Sequence, residues 1–297
     1  MAECAERAER LFARVVFATF PMLPEKPTPA PMPASYLVRT ADPVLEMRAA
    51  QGAASIGALI PKSNPESNPE SKSRAPRQTR LQVIKVGGSL YGAPALKGVL
   101  HALSCEARAA CVVVVPGGGR FADAVRVAQT REGFSDAEAH LKALQAMDAA
   151  GVWLGRCLEA RGSSPTVLDV DALETLSRTA AGPGLPTGLW LVSGFPTLMW
   201  EPALPVGWQT TSDTVALWCA QKLLAEELCL YKSAGPGTRS LEELAQAEYL
   251  DRQFPLTFAA QPLPCSVVWP GEPEPVWLWP NSTDRTQEES DQTAKTL

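Results

Sequence analysis

The chain has 297 residues, of which 45% are hydrophobic, enough for a sizeable core in one large domain or two small ones. Its net charge of −5 is uneven, because residues 1–80 hold 11 of the 27 Lys and Arg residues but 8 of the 32 Asp and Glu residues, which leaves −8 for residues 81–297. An acidic main domain argues against nucleic-acid binding, which needs a basic surface, and no apolar run approaches the ~20 residues of a transmembrane helix.

Residues 1–80 form an N-terminal extension whose composition differs from that of the following chain. They contain 11 of the 27 prolines, and residues 61–80 consist mainly of Pro, Ser, Asn and charged side chains. Such a segment buries too little apolar surface to offset the entropy lost on folding, which predicts a largely disordered extension with a linker at 61–80. The polar residues 281–297 predict a disordered tail.

From residue 81 onward, short apolar runs alternate with helical periods, which predicts an α/β domain over residues 81–280. The predicted strands cover residues 82–86, 111–115, 166–169, 189–193 and 228–232, with weaker candidates at 266–269 and 276–279. The predicted helices begin after the glycines at 117–119, at the capping pattern of residues 135–138 and after residues 210–213. The second of these helices is expected to end near residue 159.

Two strand ends are followed by glycines. Lys85 lies in the first strand, directly ahead of Gly87 and Gly88, and the second strand leads into three glycines at the start of a helix. Glycines let backbone N–H groups approach an anion, and a helix N-terminus favours negative charge, so the pattern predicts phosphate binding. Turns that need a positive φ would explain the glycines equally well, and an edge-strand position would explain the lysine.

Two further charged residues lie at element boundaries. Asp213 is expected in the first turn of its helix, where the helix dipole stabilises a carboxylate in any protein. Lys232 ends a predicted strand immediately before a glycine-containing loop, as the second lysine at such a junction. His140 and Asp148 fall on or beside the apolar stripe of the second helix, so they either border a cleft or are buried polar groups with satisfied hydrogen bonds.

Several common kinds of site are absent from the sequence. It contains no Walker pattern G-x-x-x-x-G-K-[ST], no Rossmann pattern G-x-G-x-x-G and no G-x-S-x-G elbow. With two histidines and no nearby carboxylate cluster of ligand spacing, a zinc site is not expected. The seven cysteines form no C-x-x-C pair, which is typical of reduced thiols in a cytoplasmic protein.

In order and spacing, residues 83–90 (VIKVGGSL), 114–119 (VVPGGG) and 211–213 (TSD) resemble the aspartate/glutamate/uridylate kinase family, also called the amino-acid kinase superfamily. Within it, residues 116–126 (PGGGRFADAVR), His140, residues 146–148 (AMD) and Trp208 ahead of the TSD segment look most like the aminomethylfuranylmethyl phosphate kinases of methanofuran biosynthesis and their methylotroph homologues.

The resemblance implies an open, mostly parallel sheet sandwiched between helices, and an ATP-dependent phosphotransferase. Such a kinase would move the γ-phosphoryl of ATP to a phosphate monoester or another small anionic acceptor. The subfamily resemblance suggests one-carbon cofactor biosynthesis of the methanofuran or tetrahydromethanopterin type. Mg²⁺ would arrive with ATP, held by phosphate and water without a protein ligand. A homo-oligomer is compatible with the resemblance, since many relatives pair through helices.

Residue roles are carried over by the same resemblance. The catalytic residues would be Lys85, Asp213 and Lys232. The phosphate- and nucleotide-binding residues would be Gly87, Gly88, Ser89, Thr211, Ser212, Ser233 and Gly235. The acceptor would be bordered by Gly117, Gly118, Gly119, His140, Asp148 and Trp208.

One segment departs from the family pattern. Residues 231–237 read YKSAGPG where many members carry TDVDGVY, so the usual acid and tyrosine of the nucleotide loop are missing. This departure favours an alternative, a non-catalytic relative that binds a nucleotide or anion as a sensor or assembly subunit. The joint presence of Lys85, Gly88, Gly118 and Asp213 favours the kinase, because phosphoryl transfer depends on such a charge arrangement.

Overall fold

The computed structural model describes residues 79–180, 185–237, 240–272 and 274–279. The predicted tail at 281–297 and the predicted N-terminal extension up to residue 78 lie outside the described residues. None of the helices in the described part of the chain is long and apolar enough to cross a membrane.

The described residues form a seven-stranded sheet with strand order β3-β4-β2-β1-β5-β6-β7. The strands are β1 (Arg80–Val86), β2 (Ala110–Pro116), β3 (Thr166–Asp169), β4 (Gly188–Ser193), β5 (Glu227–Tyr231), β6 (Cys265–Val268) and β7 (Val276–Trp279). Every neighbouring pair is parallel except β6 with β7. The predicted α/β class with an open, mostly parallel sheet is confirmed, and each predicted strand is present.

Seven α-helices connect the strands in the described part of the chain: α1 (Leu96–Glu106), α2 (Gly119–Glu132), α3 (Asp136–Glu159), α4 (Leu173–Ala180), α5 (Ser212–Leu223), α6 (Leu241–Gln246) and α7 (Phe254–Ala260). The three predicted helices correspond to α2, α3 and α5. At the start of α3, the Ser135 side chain accepts a hydrogen bond from the Glu138 amide at 3.2 Å, as the capping pattern predicts. Short 3₁₀ segments occur at Gly88–Leu90, Val170–Ala172 and Phe195–Trp200.

The alternation of side chains along β1 divides the core into two layers. Leu81 and Val83 pack on one face of the sheet together with α5, and Ile84 and Val86 pack on the other face with α1 and the second half of α3. Lys85 therefore lies on the α5 face. Because β1 is paired on both sides, by β2 and β5, the edge-strand explanation of this lysine is wrong.

The connections between strands change direction beside β1. From β1 the chain crosses through α1 to β2 on one side, whereas β5 flanks β1 on the other side. In open parallel sheets, ligands bind outside the carboxyl ends of strands where the direction of the connections reverses. A ligand site is therefore expected beside the residues that follow β1 and β5.

The turns after β1 and β2 touch through their backbones. A Cβ atom at Gly88 would overlap the backbone N and Cα of Gly119, and one at Gly119 would lie 2.9 Å from the Gly88 carbonyl oxygen. Gly119 also has a φ of +50°, in the left-handed region that favours glycine. The requirement for glycine at position 88 is therefore one of space, set by the neighbouring turn.

We expect Gly88→Ala to lower the free energy of unfolding by roughly 1–3 kcal/mol, because the two turns would have to separate. The matched control is Gly98→Ala in α1, where a new Cβ meets nothing within 4 Å, and which should raise stability by about 0.5–1 kcal/mol. Urea denaturation of both variants measures the effect. Equal stability of the Gly88 variant and the wild type would contradict the close contact.

Candidate active site

A buried cluster of three charged side chains lies at the carboxyl ends of β1 and β5. The Lys85 ammonium is 2.7 Å from one carboxylate oxygen of Asp213, and the Lys232 ammonium is 2.6 Å from the other. The side chains are only 7%, 6% and 12% exposed for Lys85, Asp213 and Lys232 respectively. The three predicted catalytic residues are thus brought together, and we call them the charge trio.

Each member of the charge trio is positioned by a different element. Lys85 is paired in register with Leu230 of β5, and Lys232 follows β5, where its amide donates to the Val268 carbonyl at 2.9 Å. Asp213 stands in the first turn of α5, as the sequence predicts. In the first turn of a helix, a carboxylate is stabilised by the helix dipole.

The contacts in the charge trio shift the pKa values of Asp213 and Lys232. Burial alone would raise the pKa of Asp213, but the charges and hydrogen bonds of Lys232 and Lys85 outweigh it and lower this pKa to about 2. Burial lowers the pKa of Lys232, as does the nearby charge of Lys85, while Asp213 opposes both effects. Two ammonium groups around one carboxylate give the charge trio itself an excess of positive charge, and the nearby Asp251 carboxyl partly balances it.

The glycine turns border this cluster. The Gly87 amide donates to the Tyr231 carbonyl at 2.8 Å, and the Gly117 amide donates to the Val86 carbonyl at 2.9 Å. A Cβ at Gly117 would lie 3.3 Å from the Ser212 hydroxyl at the start of α5. The second glycine turn therefore lies beside the start of α5, and the first lies beside the end of β5.

The loop after Lys232 closes the other side of the site. The Ser89 hydroxyl donates to the Ser233 hydroxyl at 3.0 Å, which links the turn after β1 to this loop. Gly235 lies against the Trp269 indole, since a Cβ at this glycine would be 2.7 Å from ring atoms. The Tyr249 hydroxyl donates to the Ala234 carbonyl at 2.7 Å.

Sequence reasoning missed two residues of the site, Tyr249 and Asp251. The Lys232 ammonium donates to the Tyr249 carbonyl and lies 4.8 Å from the centre of its ring. The Asp251 carboxylate accepts from the amides of Thr211 at 2.9 Å and Thr214 at 2.8 Å, and from the Thr211 hydroxyl. Neither residue belongs to a motif, and no local pattern in the sequence marks them.

The residues predicted to border the acceptor do not form one cluster. Trp208 donates from its indole N–H to Gln129 Oε1 at 2.7 Å, and the Arg126 guanidinium lies 4.0 Å from the centre of its ring. His140 and Asp148 both lie on α3, where a separation of eight residues corresponds to about 12 Å along the helix axis. The structure therefore separates Asp148 from His140, which is buried and bonds to the residue before Trp208.

His140 and Asp148 each bond to backbone. His140 Nδ1 is 3.1 Å from the Gly207 carbonyl oxygen, to which the ring N–H donates, and burial lowers the pKa of the imidazole. Asp148 Oδ1 accepts from the amides of Gly194 at 2.9 Å and Phe195 at 3.4 Å. These bonds account for His140 as a buried and Asp148 as a half-buried polar group with satisfied hydrogen bonds, and their role toward an acceptor stays a prediction.

Comparisons with known proteins give structural similarities only. No known family model matches the chain, and no curated protein matches it in sequence. The UMP kinase from Ureaplasma parvum is 12% identical over 66% of this chain and 92% of its own, with a TM-score of 0.49. The aspartate kinase from Synechocystis is 14% identical over 68% of this chain and 40% of its own, with a TM-score of 0.49. E. coli aspartokinase III, solved with aspartate and ADP, is 14% identical over 68% of this chain and 66% of its own, with a TM-score of 0.46.

We expect Asp213→Asn to lower the free energy of unfolding at pH 7 by roughly 3–5 kcal/mol, because two buried ammonium groups lose their counter-charge. The pKa of Asp213 is lowered from 3.8 to about 2, so its stabilisation is present above pH ~4 and is lost as the pH falls toward 2. The deficit of the variant should therefore shrink with acidification. Urea denaturation across this range measures it, with the exposed Asp123→Asn as the control; a deficit independent of pH would contradict the assigned ion pairs.

The stability that Asp148 contributes should depend on pH in the opposite direction. Burial raises its pKa from 3.8 to about 7, so the favourable neutral form is fully present below pH ~4 and is lost as the pH rises through 7. Between these values the wild type should lose stability relative to Asp148→Asn, which keeps an oxygen for the Gly194 amide. Denaturation curves at pH 4.5 to about 8 provide the measurement. A constant difference between the two proteins would show that Asp148 is ionised throughout.

Proposed function

We propose that this protein is an ATP-dependent phosphotransferase that moves the γ-phosphoryl group of ATP to a small anionic acceptor. The observation that carries the proposal is the charge trio, in which one buried aspartate holds two lysines at the carboxyl ends of β1 and β5. The order of the glycine and TSD segments in the sequence, which resembles the amino-acid kinase superfamily, supports it independently.

The charge trio suits the electrostatic demands of phosphoryl transfer. The transferred group carries negative charge on its three equatorial oxygens, and catalysis consists mainly of alignment and charge stabilisation. Asp213 contacts both Lys85 and Lys232, so the protein itself holds the two ammonium groups and little reorganisation is needed when that charge develops. The glycine turns bring backbone close to the same place, and α2 begins at Gly119 with its amides unpaired by the helix.

The reaction makes and breaks one phosphorus–oxygen bond. The bond from the γ-phosphorus to the bridging oxygen of ADP breaks, a bond to an acceptor oxygen forms, and any acceptor proton passes to solvent. Asp213 is a poor base for that proton, because its pKa is about 2 and both of its oxygens contact lysines. We assign Asp213 to holding the two lysines in place.

The finer parts of the proposal rest on the sequence resemblance. ATP, bringing Mg²⁺ bound mainly by its phosphates and water, would occupy the side of Ser233 and Gly235. The acceptor would occupy the side of the second glycine turn and α3, with a phosphate monoester as the favoured class. One-carbon cofactor biosynthesis is the proposed setting, and a homo-oligomer in the cytoplasm is the proposed form.

A second candidate function is binding without transfer. The observation that favours it is the loop at 231–237, which lacks the acid and tyrosine of many superfamily members and in which Gly235 packs against Trp269. The same positive charge would then retain a nucleotide or phosphate for sensing or assembly.

Phosphorus NMR separates the two functions. The protein is incubated with Mg-ATP and a panel of phosphorylated and amine-bearing acceptors, and ATP and new phosphate esters are followed over time. We expect transfer to one acceptor class, and a fall of about 10²–10³-fold in kcat for Lys85→Ala, the scale of one preorganised charge. The control is Lys222→Ala, an exposed lysine at the other end of α5. Intact ATP with every acceptor, together with nucleotide binding, would support the second function, and normal turnover by Lys85→Ala would refute the mechanism.

A further inference from the structure

The N-terminus of α5 is held from outside the helix. Thr211 occupies the capping position but makes no side-chain capping bond of its own. The Asp251 carboxylate takes over this role, because a single oxygen, Oδ2, accepts from the amides of Thr211 and Thr214. Its other oxygen accepts from the Thr211 hydroxyl. The two amides bracket Asp213 in the chain, so the clamp fixes the turn that carries the central carboxylate of the charge trio.

The same short segment also holds Lys232. Two residues before Asp251, the Tyr249 carbonyl accepts from the Lys232 ammonium, and its hydroxyl donates to the loop that follows this lysine. Between them, Leu250 is 2% exposed, and its amide donates to the Leu244 carbonyl at 3.2 Å. The segment is thus anchored in the core, and two of the three charged groups are held by it.

We propose that Asp251 is a positioning residue of the reaction, which sets the first turn of α5 so that Asp213 bridges Lys85 and Lys232. This inference rests on the proposed phosphotransferase function for its kinetic consequences. Asp251 makes its three bonds to Thr211 and Thr214 at the start of α5 and acts through Asp213 without touching the substrate. The contacts of Asp213 with Lys232 and Lys85 measure 2.6 and 2.7 Å, so a displacement of its carboxylate by about 1 Å would break them.

The first test measures stability and needs no substrate. Asp251→Ala is introduced into the wild type and into Asp213→Asn, and the equilibrium constants of unfolding are compared in a double-mutant cycle. If Asp251 positions Asp213, Asp251→Ala should raise the equilibrium constant of unfolding in both backgrounds. The fold-change should be at least about ten times smaller in the Asp213→Asn background than in the wild type. The control is Ser135→Ala, which removes a helix cap at α3, and its effect should be the same in both backgrounds. Additive effects of Asp251→Ala would overturn the proposal.

The second test measures kinetics with the acceptor found by phosphorus NMR. Asp251→Ala should lower kcat about 100-fold and leave KM for ATP within about threefold, because alignment in the transition state is lost. Asp251→Asn should stay within about tenfold of the wild-type kcat. Its amide oxygen can accept from both backbone amides, and its NH₂ group can donate to the Thr211 hydroxyl.

The outcomes of the two tests distinguish the possible failures. If Asp251→Asn is as slow as Asp251→Ala, the negative charge itself is required and the positioning role is wrong. If neither variant is slower while Lys85→Ala is, the role is wrong as well. If the wild type phosphorylates no acceptor, the proposed function fails, and the double-mutant cycle then decides the role of Asp251 without it.

Discussion

The carboxylate of Asp213 is the point on which the charged site depends. Two ammonium groups with little exposure to water would each carry a large desolvation cost, and a single carboxylate between them at 2.6 and 2.7 Å offsets it. That carboxylate is available there because α5 begins above the carboxyl ends of β1 and β5. One side chain therefore couples the strand order, the start of α5 and two lysines from distant parts of the chain.

The glycine turns add a steric constraint to this electrostatic one. At Gly88 the backbone of the neighbouring turn occupies the place of any side chain, which is a structural reason for glycine independent of a ligand. The Gly87 and Gly117 amides are already bonded to backbone carbonyls, so a phosphate would have to bond to the other amides of these turns. Packing and phosphate binding are thus compatible explanations for the glycines of the two turns. The stability of Gly88→Ala tests the packing explanation alone.

Local patterns were sufficient to predict the strands and the helices α2, α3 and α5, because each carries a clear apolar period or a capping signal. The short helices α6 and α7 carry too few turns for a reliable period. The assembly of Lys85, Asp213 and Lys232 was predicted only through the family resemblance, since residues so far apart in sequence meet through strand order. Asp251 could not be found, because its partners lie 37 and 40 residues away and its own neighbours form no motif.

The central position of β1 has a consequence for how the site fluctuates. All residues from Leu81 to Val86 are buried, and the strand is paired on both sides. In native-state hydrogen exchange, amides in such a strand are protected up to the free energy of global unfolding, whereas loop amides exchange through local openings. We therefore expect the Lys85 amide to be among the slowest to exchange in the described part of the chain, because it opens only when the whole sheet unfolds.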